Sequence, residues 1–262
     1  MTAPRESNGR GDGSGMRIRS VESGRGWQWI VEGFGLFRKA PFMWITLTLV
    51  LALIWMLLFA IQLIGPLLFN LLSPVFFAGF MIGCRDLEQG RELELAHVFA
   101  GFRGGHAAPL VTVGGVYLVG MIVILGLIFL TAGGSMLPTA LSGKHTDMAA
   151  VAAAVRGLAL ALIVAFVVYI PLLMAVWFAP LLVAFHGMPA GPAMKLSFQA
   201  CWRNVLPFTV YGFVILVLWF LASIPLLLGL LIVLPVVLCS IYASYKDVFE
   251  IGGDLENVTS EE

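Results

Sequence analysis

The sequence predicts an all-α, polytopic membrane protein: six transmembrane helices in three hairpin units, each introduced by an amphipathic interfacial helix. Three observations predict it. The 262-residue chain is 60% hydrophobic and only 11% charged, with mean hydropathy +0.98. Soluble domains run nearer about half apolar and about a quarter charged. Several apolar runs approach or exceed the roughly 20 residues that cross a hydrocarbon core about 30 Å thick. The charged residues collect between those runs rather than inside them.

Residues 1–26 are rich in Gly, Ser and Arg and lack apolar periodicity, so they read as a disordered polar segment. No apolar core of a secretory signal is present there, and Met16 stands as a second candidate start. Trp27, Trp29 and Trp44 gather at the first apolar entrance, as interfacial aromatics do. The ordered part, 27–250, reads as a single transmembrane domain. Its first span covers about 42–63 and turns at Ile64-Gly65-Pro66; the second covers about 67–84 and returns to Arg85-Asp86. The third, about 109–131, is followed by the small-residue loop AGGSMLPTALSGKHT. Asp147 then caps a long helix whose spanning part is 157–185, with Pro171 and Pro180 available to kink it. Residues 205–245 are too long for one span, and Pro225 divides them into about 205–222 and 226–245. The tail 251–262, with Asp254, Glu256, Glu261 and Glu262 and no base, reads as acidic and disordered.

Basic residues set the expected orientation. Counting Lys and Arg, seven precede residue 42, three fall in 85–108, two in 186–204, and Lys246 makes 13; Lys144 and Arg156 alone face the other side. The positive-inside rule then puts both termini in the cytoplasm.

Two stretches repeat. PVFFAGFMIGCRDLE (74–88) aligns with PVVLCSIYASYKDVFE (235–250), so Gly79 and Gly83 match Ser240 and Ser244. Small residues four apart share a helix face and let another helix approach closely, which makes these four the expected helix-packing residues. The three entrances also match: Phe34, Arg38, Pro41; Phe99, Arg103, Pro109; Phe198, Arg203, Pro207. There the ring can dip into lipid while the guanidinium reaches headgroups. Arg38, Arg103 and Arg203, with Trp27 and Trp29, are therefore the expected interfacial anchors. Three units follow, about 27–88, 91–186 and 190–250.

On the stretches RGWQWIVEGFGLFRKAP (25–41), LLSPVFFAGFMIGCRDLEQG (71–90) and LELAHVFAGFR (93–103), the chain resembles the BPSS-type family of proteobacterial inner-membrane proteins. More loosely, FAPLLVAFHGMPAGPAMKLSFQACWRN (178–204) is similar to an element of YciC-like proteins and of the six-span membrane domain beside some glycerophosphodiesterases. These resemblances imply a multi-pass protein of the bacterial inner membrane. They imply no catalytic residue.

Candidate chemistry is sparse. Arg85-Asp86 and Lys246-Asp247 suggest either ion pairs that gate a path or charge pairs marking where helices leave the membrane; their repetition favours the exits. Glu94-x-x-His97 has di-iron spacing but lacks the second motif such a site needs. GFG at 33–35 lacks the third glycine and the preceding strand of a dinucleotide loop. His106, His145 and His186 stand singly. Cys84, Cys201 and Cys239, far apart and without CxxC spacing, read as small apolar packers left reduced. The scattered basic residues give no nucleic-acid footprint. The span cores hold no Asp, Glu, Lys, Arg or His, which removes the usual sign of proton-coupled transport. Asn70 and Ser73, just before Pro74, are the candidate polar path. No catalytic, cofactor or metal residue is expected. The expected role is a non-enzymatic structural, assembly or lipid-associating component, with membrane lipids and protein partners or a homo-oligomer as its company. The alternative is a pore or uniporter for a small or lipid-like solute.

Overall fold

The computed structural model describes residues 17–133, 148–224 and 228–249. The small-residue loop from residue 134 on, Asp147, Pro225, the acidic tail and most of the polar N-terminal segment lie outside the described residues. Among the described residues the chain is helical and without strands. Helix α1 is Arg25–Phe37, α2 Pro41–Phe59 and α3 Ile64–Glu88; a 3-10 helix, Leu95–Phe102, leads to α4, Ala107–Ile128. A π-helical turn, Phe129–Gly133, extends α4. Then follow α5, Met148–Trp177; α6, Ala179–His186; α7, Ala190–Arg203; α8, Val205–Ser223; and α9, Leu230–Val248.

Six stretches are long and apolar enough to span a membrane: Pro41–Phe59, Ile64–Glu88, Ala107–Thr131, Ala154–His186, Val205–Ser223 and Leu230–Val248. Each begins or ends within a few residues of its predicted counterpart. The first turn differs. Ile64-Gly65-Pro66 is the opening of α3 rather than the turn, which falls just before it and ends at Leu63 with φ 58°. Pro66 fits there because the first helical turn has no intrahelical acceptor for its N–H groups. Gly65 is required by closeness, since a Cβ would sit 1.6 Å from the Leu58 carbonyl oxygen.

The core lies at one end of the bundle. Buried residues concentrate in the last three turns of α3 and α9, in α6, and in the first turns of α2 and α4. The opposite halves expose Leu53, Met56, Val119, Leu125, Leu162, Phe166, Leu216 and Phe220. In water such a surface would associate; in a bilayer it is the face that hydrocarbon solvates.

The three entrance segments hold the packed end together. The 3-10 helix packs on α3, α7 packs on α5 and α6, and α1 packs on α9 and α8. The 3-10 helix and α7 thus lie on the spans that precede them, and α1 on the final span closes the series into a ring. Of the three interfacial helices, Leu95–Phe102 winds as a 3-10 helix. The tighter winding suits its contacts, because Gly101 meets the Val75 carbonyl so closely that a Cβ would lie 2.0 Å from it.

Candidate functional site

The charged exits divide rather than pair. Consecutive residues on a helix point about 100° apart, so Arg85 and Asp86 cannot share a direction. Their closest charged atoms, Arg85 Nε and Asp86 Oδ1, are 3.9 Å apart. Asp86 turns to the segment packed on α3: Arg91 Nη2 lies 2.8 Å from Oδ1, and His97 Nε2 lies 3.2 Å from Oδ2. The Arg91 contact is misaligned, leaving Oδ1 without a directed hydrogen bond, so it acts through charge. His97 Nδ1 lies 3.0 Å from both the Glu94 N–H and the Glu94 carbonyl oxygen, while Nε2 faces Asp86. Glu94 and His97 together form a capping box for the 3-10 helix. His97 is therefore a largely buried clasp, not part of a solvated face. Arg85 instead lies over the Phe185 ring, 4.6 Å from its centroid.

Lys246 and Asp247 divide in the same way. Lys246 meets Glu88, which also accepts from Tyr242 Oη at 2.9 Å, tying α9 to α3. Asp247 Oδ2 accepts from Arg25 Nε at 2.6 Å and from Trp29 Nε1 at 2.8 Å. Burial works against the Arg25 charge, but the hydrogen bond and charge of Asp247 outweigh it and raise its pKa. The acid at each exit thus fastens the entrance segment lying on that span: Asp86 holds the 3-10 helix, and Asp247 holds α1.

The small-residue faces lie seven residues back from those acids. A Cβ on Gly79 would stand 2.3 Å from the His97 carbonyl oxygen, and one on Gly83 would stand 2.8 Å from Leu93 Cδ1. On α9, Ser240 is fully buried against Gly33, where an added Cβ would come within 2.5 Å of the Ser240 backbone nitrogen. Ser240 Oγ also meets Tyr211 Oη at 2.7 Å and donates to the Val237 carbonyl, while Ser244 donates to Ile241. All four predicted packing residues face an entrance segment or the bundle interior.

The anchors divide into two groups. Arg38, Arg103 and Arg203 are exposed, each just before the membrane-length helix that follows it. Arg38 sits 5.9 Å from the exposed Phe34 ring, and Trp27 is 54% exposed. Trp29 is corrected: it is fully buried, with rings of Phe208 and Tyr211 around it. Trp44 is likewise buried, stacked on Phe80. Docking of α1 on α8 and α9 draws its Trp29 face inward.

Asn70 and Ser73 turn to their own helix. Asn70 Nδ2 donates to the Pro66 carbonyl and Ser73 Oγ to the Asn70 carbonyl. Ser73 borders a cavity of about 360 Å³ walled chiefly by hydrocarbon, including Leu51, Phe77, Val113, Leu173 and Leu238.

Three features escaped sequence reasoning. Ser197, fully buried on α7, inserts into the ladder of the long helix: its Oγ accepts from Phe178 N–H at 2.9 Å and donates to the Met174 carbonyl at 2.7 Å. That insertion, with Pro180, separates α5 from α6. Asn204, 1% exposed, accepts from Val21 N–H and donates to the Arg19 and Ala200 carbonyls, each at 2.9 Å. Its position between two apolar helices was the available signal. The sulfurs of Cys84 and Cys239 stand 3.9 Å apart across α3 and α9. Separation along the chain hid that contact.

Six membrane-length helices with lipid-facing outer halves, held at one end by the entrance segments, define a multi-pass integral membrane protein. The chain is 30% identical over 258 residues to a protein of Burkholderia thailandensis named as a probable inner membrane protein, covering 89% of this chain and 94% of that one. It belongs to the bacterial inner-membrane protein family of that relative. No family profile matches the chain, and no solved structure does.

Proposed function

We propose that this protein is a non-enzymatic, lipid-associating structural component of the bacterial inner membrane, with both termini in the cytoplasm. The observation that carries the reading is the exposed rim of Arg38, Arg103 and Arg203, each just before a membrane-length helix. Beside it stand the exposed rings of Trp27, Phe34, Phe99 and Trp202. Aromatic bodies at the headgroup level with guanidinium tips suit anionic phospholipid. Arg19 N–H bonds to the Val248 carbonyl at 2.8 Å, so the two described ends share one side of the bundle. The excess of basic residues assigns that side to the cytoplasm. The competing pore or uniporter reading would use Asn70 and Ser73. Their internal hydrogen bonds and the hydrocarbon-walled cavity beside Ser73 favour the lipid-associating one.

The test is extraction in polymer-bounded native membrane discs, with co-isolated lipids and proteins identified by mass spectrometry. The wild type should enrich anionic phospholipid over the bulk membrane, and Arg38→Gln/Arg103→Gln should lose that enrichment. A wild-type lipid annulus of bulk composition would overturn the reading. Orientation is read separately by a phosphatase or fluorescent fusion after residue 262, expected to report the cytoplasm.

A further inference from the structure

The ring is sealed unevenly. Helix α4 packs along α3, and Gly114 marks the closest approach: its Cβ would lie 2.2 Å from the Leu71 carbonyl oxygen. Gly114 stands five residues after Pro109, and Gly212 five after Pro207. In α8, however, a Cβ on Gly212 meets nothing within 4 Å. Helix α8 packs on α1 and α9, but α5 and α8 share no such extended face among the described residues. Their junction is an open seam of about 420 Å³. Its walls are Ile170, Leu173 and Trp177 of α5 and Phe208, Gly212 and Ile215 of α8.

We propose that this seam holds one acyl chain of an anionic glycerophospholipid, with its phosphate at Arg203. The seam's dimensions indicate the occupant. From Val205 to Ile215, α8 rises about 15 Å, which is about half the hydrocarbon thickness of a bilayer. The slot is therefore one leaflet deep and as long as one chain. The lining is almost wholly hydrocarbon, and the volume lies in the range of small-molecule sites. The headgroup is assigned to Arg203 by position along the chain: it is exposed and falls in sequence between Cys201 and Val205, which line the seam. The proposal rests on the lipid-associating reading and narrows it to a single retained molecule.

The experiment is native mass spectrometry of detergent-purified, delipidated protein titrated with phosphatidylglycerol or phosphatidylcholine. The wild type should take up one phosphatidylglycerol in preference to phosphatidylcholine. Gly212→Phe fills the seam, and binding should weaken about tenfold or more, a difference of about 1.4 kcal/mol. Gly126→Phe, also in open space but on α4, should bind as the wild type does. Arg203→Gln should erase the preference between the two lipids. Thermal melts of each variant establish that it is folded. A folded Gly212→Phe with wild-type titration would overturn the proposal, as would equal binding of both lipids by the wild type. So would a wild-type dimer that Gly212→Phe dissolves, since a second copy would then be the occupant. Arg38→Gln/Arg103→Gln separates this site from the rim: annular enrichment should fall while the single bound lipid stays.

Discussion

Asp247 Oδ2 accepts the indole N–H of Trp29 at 2.8 Å across 218 positions of sequence. The same oxygen takes Arg25 Nε at 2.6 Å, so one carboxylate secures the first helix to the last. Asp247→Ala leaves a buried indole N–H unpartnered, at a cost of about 1–3 kcal/mol. Limited trypsin digestion in detergent should cut at Arg25 faster in that variant. Glu32→Ala, which removes one exposed partner of Arg25, should shift stability by less than about 0.5 kcal/mol.

Two glycines on α1 should respond in opposite ways. At Gly33 a Cβ would collide with the Ser240 backbone, which cannot swing aside as a flexible side chain could. Gly33→Ala should therefore cost about 1–3 kcal/mol or more, through overpacking. At Gly35 a Cβ meets nothing, and Gly35→Ala should hold or raise the melting temperature, because alanine favours the helix by about 1 kcal/mol. Thermal unfolding of the two variants side by side checks the close approach of α1 to α9.

Burial pushes the Cys201 thiol up to about 12, while the nearby Ser197 hydroxyl pulls the other way. An unfolded thiol titrates near about 8.5. The folded state holds the proton more tightly, so this contribution is complete below that pH and fades as pH climbs toward 12. About 1–2 kcal/mol should be lost by pH 10. Chemical denaturation from pH 7 to 10 should show that fall, and Cys201→Ala should flatten it. Maleimide labelling of Cys201 in the folded protein should be negligible at pH 7.

The facing sulfurs of Cys84 and Cys239, 3.9 Å apart and both buried, need only a small movement to reach the about 2.05 Å of a disulfide. Both are closed to reagents in the folded state, so prolonged diamide treatment of membranes should act during transient opening and then yield an intramolecular bond between peptides carrying these two residues. Cys84→Ser should abolish it. Oxidation that produced only dimers would contradict the packing of α3 on α9.

The six spans were legible because a bilayer imposes a length and a hydropathy on each segment independently of its neighbours. The small-residue faces at Gly79, Gly83, Ser240 and Ser244 could be read from the sequence as faces, since their spacing belongs to one helix. Partner choice could not. Arg85 and Asp86 looked like a pair because they are adjacent in sequence, yet helical geometry turns one to Phe185 and the other to His97. Trp29 carried the chemistry of an interfacial residue, and only the docking of α1 on α8 and α9 makes it core. Ser197 and Asn204 act across tens to hundreds of residues on backbone groups, which leave no mark in side-chain patterns.

Closure of the ring through Arg19 and Val248 also fixes an order in time. Helix α1 leaves the ribosome first, but its seat on α8 and α9 is among the last parts made. At about 5–20 residues per second, the roughly 200 residues between them take about 10–40 s to synthesise. Through that interval α1 has Trp29, Ile30 and Phe37 exposed and no surface to receive them. The newborn chain must therefore keep a finished segment idle beside the membrane until its final span arrives. A chain stopped before Leu230 would lack the main surface on which α1 closes.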